Sequence, residues 1–368
     1  MHIGIDARII THQIAGIGNY TCSLYRQLQK SGRLKVTLFD DEFFADRKNF
    51  SQLSNRGLRK ILYTVWLNTR FPSILKKHKV DLLHAPNFVP PLYSGPPAVS
   101  TFHDVGYLRY PHTHHGIYAA LFPGFANAAV EKSRRIIVPS ESSRDEMIHF
   151  YPRAKNKLRV VYMAAREEFR PIDDENFLNR IAKKYSLPEK YILCVGTLEP
   201  RKNLERFFAA FKRYYDKKPD SDLHLVLSGK TWVRHRQFLE TRKKSGLENR
   251  IILTGYIPQE EITAVYNLAL ALAFPSYYEG FGIPAVEAMR CGLPVISSNA
   301  FSLPEILQDA AVYFDPFEID QMVDAIIIIS EDRELRIELT RLGLKRAENF
   351  SWENTAKLTE EIYHEALN

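Results

Sequence analysis

Two carboxylates, Glu279 and Glu287, bracket the run Gly280-Phe281-Gly282-Ile283-Pro284. Proline suits the first turn of a helix, so Gly280 to Gly282 form a loop, Glu279 precedes the helix and Glu287 rides on it. Ionised carboxylates on either side of a glycine-rich helix start can hold hydroxyl groups around a phosphate, which suits a nucleotide sugar. A second constellation is Gly196-Thr197-Leu198-Glu199-Pro200-Arg201-Lys202-Asn203, which follows the apolar run Tyr191 to Val195 and precedes Leu204, Phe207, Phe208 and Phe211. Adjacent cations at a helix N-terminus oppose the helix dipole, so an anion should compensate Arg201 and Lys202. A charge pair at 4 Å is worth about 4 kcal/mol at an effective dielectric of 20, enough to steady charge developing on a leaving diphosphate.

A third segment, Ala15-Gly16-Ile17-Gly18-Asn19-Tyr20, is a glycine loop ahead of the helical pattern Leu24, Tyr25, Leu28. Gly16 and Gly18 let backbone N–H groups approach a phosphate. Asp40, about 20 residues on, stands where a nicotinamide-binding fold would place its ribose-binding acid. That fingerprint fits poorly, because Thr21 occupies the third glycine position and the loop lies well beyond the first strand. His112-Thr113-His114-His115 lacks an acid at ligand spacing and sits between Pro111 and Gly116, so it reads as a loop and no metal site is expected. His103-Asp104 closes a strand and can be a general base or a histidine capped by its neighbour.

The elements that must position these residues alternate short β-branched runs with amphipathic stretches, the pattern of parallel βαβ units. In the first half the expected strands are His2 to Ala7, Lys35 to Phe39, Leu82 to Ala85, Ala98 to His103, Arg135 to Pro139 and Leu158 to Val161. In the second they are Tyr191 to Val195, His224 to Ser228, Ile251 to Thr254, Ala271 to Pro275, Pro294 to Ser297 and Ala311 to Phe314. The chain's 368 residues exceed what one core usually supports, about 250 to 300, so two doubly wound α/β domains are expected. The segment Met163 to Lys190, with Pro171, Asp173-Asp174-Glu175 and Pro188, reads as the passage between them, giving domains of residues 1–165 and 166–350. Ser351 to Leu367 reads as a capped amphipathic helix that packs back on the first domain.

Composition excludes other classes. With 45% hydrophobic and 25% charged residues the chain is neither disordered nor fibrous. Cys22, Cys194 and Cys291 are too scattered for a disulfide framework or a paired metal site, and a reducing compartment is expected. The acidic residue at Asp6 comes too early for a signal peptide, and the longest apolar runs, Leu268 to Phe274 and Ile326 to Ile329, are too short to span a bilayer. A cytoplasmic protein follows. Residues 1–165 carry a net charge of +12 and the remainder −5. A basic half attracts nucleic acid, anionic lipid or a phosphorylated substrate, and no nucleic-acid or P-loop motif accompanies it. Arg56 to Arg70, with Leu58, Ile61, Leu62, Val65 and Trp66 on one face and Arg56, Arg59, Lys60 and Arg70 elsewhere, reads as a core-facing helix or as one docked peripherally on an anionic membrane.

The stretch from Glu279 through Glu287-Ala-Met-Arg-Cys-Gly-Leu-Pro-Val-Ile resembles the E-x7-E signature of glycosyltransferase family 4, retaining enzymes of the GT-B architecture, two Rossmann-like domains facing across a cleft. Gly196 to Asn203, Thr254-Gly255-Tyr256-Ile257, Ser302-Leu303-Pro304-Glu305, Phe314-Asp315-Pro316 and Phe350-Ser351-Trp352 extend the resemblance over the second half; the glycine loop and Thr101-Phe102-His103-Asp104 carry it into the first. It implies that Glu287 binds ribose hydroxyls, Glu279 the donor sugar, and Lys202 with Arg201 the diphosphate, assisted by the backbone of Phe281 and Gly282. By the same resemblance His103 contacts the donor sugar near its anomeric carbon, Gly16 closes over the diphosphate, and Tyr256 and Ile257 lie near the base. Several relatives carry an arginine directly after Gly196; here Thr197 stands there and Arg201 substitutes in part.

The resemblance implies a metal-free transfer in which the leaving diphosphate takes the proton of the incoming hydroxyl. The first domain would bind the acceptor and the second the nucleotide sugar. The wording around Gly16 and Lys202 is similar to that of the family's mannosyltransferases, so GDP-mannose is the first expected donor and UDP-glucose the next. A saccharide or polyprenyl-diphosphate-linked acceptor of a bacterial surface polysaccharide is expected. The alternatives are a non-catalytic nucleotide-sugar-binding scaffold and, more remotely, an NAD-dependent oxidoreductase.

Overall fold

The computed structural model describes residues 1–7, 16–39, 56–110, 117–230 and 235–368, and their side chains except at 56–63, 117–122 and 235–239. Ala15, Asp40 and the run Pro111 to Gly116 lie outside the described residues, as do the side chains of Arg56, Leu58, Arg59, Lys60, Ile61 and Leu62. Residues 1–163 and 351–368 form one compact unit and residues 164–350 another.

The first unit is built on a sheet of β1 (His2–Asp6), β2 (Lys35–Phe39), β3 (Leu82–Ala85), β4 (Ala98–Thr101), β5 (Arg135–Val138) and β6 (Leu158–Val160), in the order β2-β1-β3-β4-β5-β6. All pairs are parallel, with His2 opposite Lys35 and Ile3 opposite Leu82. Because helices cover both faces, Ile3, Ile5, Leu82, Leu83, Val99 and Ile136 are all fully buried, which is why these strands read as continuous apolar runs. β4 stops at Thr101, short of the expected His103, where Asp104 Oδ1 accepts the Gly106 N–H at 2.9 Å and turns the chain into a short helix.

The last helix, Trp352–Leu367, belongs to this unit. Ser351 caps it, Trp352, Ala356, Ile362, Tyr363 and Ala366 are buried, and Thr355 Oγ1 donates to the Tyr162 carbonyl at 2.7 Å. Its acids meet the arginines of the basic half. Glu360 takes a two-pronged contact from Arg33, and Glu365 pairs with Arg135 and Arg159, whose hydrogen bonds hold its carboxyl below the usual range. In the helix Arg56–Lys77, Leu67, Phe71 and Leu75 are buried and Trp66 of the expected face packs on them and stacks on Phe71, whereas Val65 of that face is 54% exposed.

The second unit repeats the plan with β7 (Tyr191–Val195), β8 (His224–Ser228), β9 (Ile251–Gly255), β10 (Ala271–Phe274), β11 (Val295–Ser298) and β12 (Ala311–Phe314), ordered β12-β11-β10-β7-β8-β9 and parallel throughout. Phe207, Phe208, Phe211 and Tyr214 line one face of the helix Leu204–Lys217 and pack on this sheet. The chain passes from the first unit to this one between Met163 and Ala164, at the start of the expected passage, and the rest of that segment is built into this unit. Its acidic cluster starts a helix, Glu175–Lys184, because Asp174 accepts the Phe177 N–H at 2.9 Å. The three cysteines are free. Among the described residues no helix is long and apolar enough to cross a membrane.

In each unit the strand order reverses once, between β1 and β3 and between β7 and β10. Ligands of such sheets bind outside the carboxyl ends of the strands at that reversal. Beside the second reversal the loops after β7 and β8 meet closely: Gly229 has φ +150°, and a Cβ on it would stand 1.9 Å from the Gly196 carbonyl oxygen. Backbone cannot yield as a flexible side chain does. Gly229→Ala is therefore expected to cost at least about 2 kcal/mol and to lower the thermal midpoint by roughly 4 °C or more; an unchanged midpoint would contradict this packing.

Candidate active site

At the reversal between β7 and β10, the loop from Gly196 runs through a tight 3-10 turn, Pro200–Lys202, and Asn203 in the left-handed region (φ 55°) before the helix Leu204–Lys217 begins. This places Lys202 inward. It is 7% exposed, its Nζ lies 2.7 Å from Oε1 of Glu279, and it stands 4.5 Å from the ring centroid of Phe274. Arg201 closes the cluster, with Nη1 2.6 Å from the other Glu279 oxygen and Nε 2.5 Å from Glu199. Ser276 Oγ donates a further bond to Glu279 Oε1 at 2.8 Å. Burial alone would raise the Glu279 carboxyl, but Arg201 and Lys202 outweigh it and hold it at about 2, so it is ionised at neutral pH.

The expectation that an anion compensates the two cations is met within the protein, by Glu279 and Glu199. Thr197 is half-buried and, with Gly196 and Lys202, lines a small cavity of about 10 Å³ at the foot of this loop.

Glu279 leads into Gly280, the buried Phe281 and Gly282, which caps the helix Ile283–Arg290 at φ +104°. A Cβ at Gly282 would stand 2.9 Å from Leu303 Cδ2 and 3.1 Å from Phe274 Cε1, so the turn requires glycine. Ser302 Oγ reaches the carbonyls of Glu279 and Phe281 at 2.8 and 3.0 Å, and Ser298 Oγ donates to the Ser276 carbonyl at 2.7 Å. These bracing serines arrive from β11 and the following helix. Sequence spacing gave no sign of Ser298; Ser302 was visible only inside a family-like segment.

Glu287 sits in the second turn of that helix, where it accepts the Tyr266 hydroxyl at 2.7 Å. Burial pushes its carboxyl up to about 7, against the pull of Tyr266 and Arg166. Tyr266, from the helix Gln259–Leu268, was not legible as its partner because only the fold brings the two helices together. Beyond β9, Ile257 is buried, whereas Tyr256 is 51% exposed with Lys230 over its ring at 4.7 Å.

In the first unit, the helix Gly16–Ser31 starts at Gly16, and Gly18 is buried. No described atom lies within 4 Å of a Cβ built on Gly16, so packing among the described residues does not demand glycine there. His103 lies two residues past β4 with Nε2 2.9 Å from the Pro86 carbonyl. A carbonyl only accepts, so Nε2 carries the proton and Nδ1 is left as an acceptor. Burial lowers the ring to about 4, despite the opposing influence of Asp104 and Pro86, so His103 is neutral at neutral pH. It can offer a lone pair or a dipole, not a full positive charge. Among the described residues no cluster has the makings of a metal site.

With this geometry in hand, comparison with known proteins is informative. A family model described as "Glycosyl transferases group 1" matches residues 178–346, and one described as "Glycosyltransferase Family 4" matches residues 14–167. The chain belongs to glycosyltransferase family 4. It is 29% identical to the O-antigen chain mannosyltransferase B of Escherichia coli, over 96% of this chain and 97% of that protein. A serotype-specific mannosyltransferase of Escherichia coli is 32% identical over 65% of this chain, a match that spans 30% of that longer protein. Among solved structures, sucrose-phosphate synthase from Thermosynechococcus elongatus superposes with a TM-score of 0.77 at 19% identity, over 99% of this chain and 98% of that one. Anabaena HepE, solved with UDP and glucose, gives 0.74 at 18% identity over 99% of both chains. The architecture of this family 4 glycosyltransferase is GT-B.

The Glu287 carboxyl yields a prediction with a definite sign. A folded value raised above the unfolded one, about 4.3, contributes stability that is fully present below the unfolded value and lost as pH rises through about 7. Glu287→Gln cannot ionise. Its thermal midpoint relative to the native chain is expected to rise by at least about 2 °C between pH 5 and pH 8; a constant difference would contradict a buried, raised carboxyl.

Proposed function

We propose that this glycosyltransferase moves mannose from GDP-mannose, with retention of anomeric configuration, onto a growing saccharide of a cell-surface polysaccharide. The observation that carries the reading is the buried Lys202–Glu279–Arg201 cluster at the carboxyl ends of β7 and β10. The near full-length match to an O-antigen chain mannosyltransferase supports the choice of sugar. A polyprenyl-diphosphate-linked acceptor at an anionic leaflet would suit the +12 balance of residues 1–165.

In the proposed reaction the acceptor oxygen bonds to the anomeric carbon, the bond from that carbon to the diphosphate breaks, and the acceptor proton passes to a diphosphate oxygen. Lys202 and Arg201 exchange their carboxylate partners for the diphosphate and stabilise the charge it gains. Glu279, so released, accepts hydroxyl protons of the sugar. Glu287 serves the ribose hydroxyls, while Tyr256 and Ile257 serve the base, with the backbone at Thr197, Gly280, Phe281 and Gly282 around the donor. Gly16, Gly18 and His103 of the first unit are assigned to the diphosphate and the sugar. With His103 neutral and no protein base invoked, catalysis is positioning and electrostatics.

No metal or cofactor enters this scheme, so a chelator such as EDTA is expected to leave the rate unchanged. Loss of activity that magnesium or manganese restores would contradict it. Lys202→Ala and Glu279→Gln, checked for folding by circular dichroism, are each expected to slow turnover at least about tenfold, or roughly 1.4 kcal/mol in the barrier. Near-native rates in both would refute the site. A ligand at about 100 times its Kd adds about 2.7 kcal/mol of stability, so thermal shift should single out GDP-mannose. A larger shift with UDP-glucose would favour the donor class seen with HepE.

A further inference from the structure

The first unit holds a row of four buried polar side chains that the proposed reaction leaves unused. Tyr363, on the C-terminal helix, is fully buried with its hydroxyl 2.7 Å from Nδ1 of His84 in β3. His84 Nε2 lies 2.8 Å from Oγ1 of Thr101 at the end of β4, and that oxygen lies 3.2 Å from the Tyr20 hydroxyl. Tyr20 follows Gly18 in the helix Gly16–Ser31. Its ring stands edge-on to the His103 imidazole, with centroids 4.9 Å apart and planes at 84°. Trp352, the first residue of the C-terminal helix, tilts against the same tyrosine ring at 6.0 Å.

The three bonds share the single ring proton of His84. His84 is the sole partner of the Tyr363 hydroxyl among the described residues, and a phenolic proton turned elsewhere would be a buried unsatisfied donor costing about 1–3 kcal/mol. The same cost holds the Tyr20 hydroxyl to Thr101, its sole partner among the described residues. Burial, with the neighbouring His103, lowers the His84 pKa to about 3, so the ring is neutral and has a single N–H. That proton faces either Tyr363 or Thr101, so the partners on the two sides of the ring set one tautomer between them. The four side chains are thus tied into one row, and a change at the Tyr363 hydroxyl is passed along it to Tyr20.

We infer that Tyr363 is a positioning residue: through His84 and Thr101 it holds Tyr20 in place, and Tyr20 in turn holds the His103 ring and the glycine-led helix. The inference rests on the assignment of His103, Gly16 and Gly18 to the donor. Without the Tyr363 hydroxyl, Nδ1 of His84 loses its partner, and the constraint on the His84 ring, on Thr101 and on Tyr20 is relaxed. Misplacement by a fraction of an ångström at a reacting group slows chemistry more than it weakens binding.

The test compares Tyr363→Phe, Tyr20→Phe and the double variant, each keeping its ring and hence its packing. Each single variant is expected to lower kcat about five- to tenfold with donor KM within about twofold, and the double to be no worse than either, because both cut one chain. An unchanged kcat in Tyr363→Phe, or losses that multiply, would overturn the inference. A second arm needs no turnover: in nitrogen-15 histidine spectra of the unliganded protein, His84 is expected as a single neutral tautomer at pH 7. Tyr363→Phe should shift the His103 ring signals while sparing those of His224. Unmoved His103 signals would equally overturn the inference. If the native chain turns over neither donor, the functional proposal fails and the spectra still decide the relay.

Discussion

A carboxylate withdrawn from water between a lysine and an arginine governs the second unit. Glu279 pairs with Lys202 at 2.7 Å and with Arg201 at 2.6 Å, and both it and Lys202 are almost wholly buried. Desolvating such charges is expensive, and pairing recovers the cost only when geometry is good and the remaining hydrogen-bonding capacity is used. Here it is used: Ser276 gives Glu279 an extra bond, Glu199 takes the outer side of Arg201, and Phe274 presents its ring to Lys202. A buried charge that can trade one anion for another is a poor way to gain stability. It suits a site whose natural occupant is anionic.

The surrounding backbone serves that arrangement. Gly229 admits the Gly196 loop, the left-handed Asn203 turns Lys202 inward, and Gly282 lets the Glu279 loop pass beneath Leu303 and Phe274. Ser298 and Ser302 then tie the loop's carbonyls to β11 and the helix that follows it. In the first unit, acids on the C-terminal helix answer arginines of the basic half, so a chain end contributed last in sequence completes the first sheet's packing.

Short continuous apolar runs rich in β-branched residues made the strands legible, because a parallel strand buried on both faces has little freedom in composition. Tyr191 to Val195 and Ala311 to Phe314 begin and end where their residues say they should. Strand ends drifted where a turn intervened, as at Thr101, since Asp104 captures a backbone N–H that spacing alone does not announce. Asp173-Asp174-Glu175 read as a linker because an N-cap and an acidic loop look alike until the helix behind them finds something to pack on. In the site, Lys202, Arg201, Glu279 and Glu287 stood out by type and spacing. Tyr266, Ser298 and the relay ending at Tyr363 did not, because each is joined to its partner only by tertiary contact.

The most direct test of the central claim is a crystal structure with GDP bound. The account predicts Lys202 Nζ turned from Glu279 to a diphosphate oxygen at about 3 Å, with Arg201 beside it. A diphosphate seated elsewhere, with the Lys202–Glu279 pair undisturbed, would contradict it.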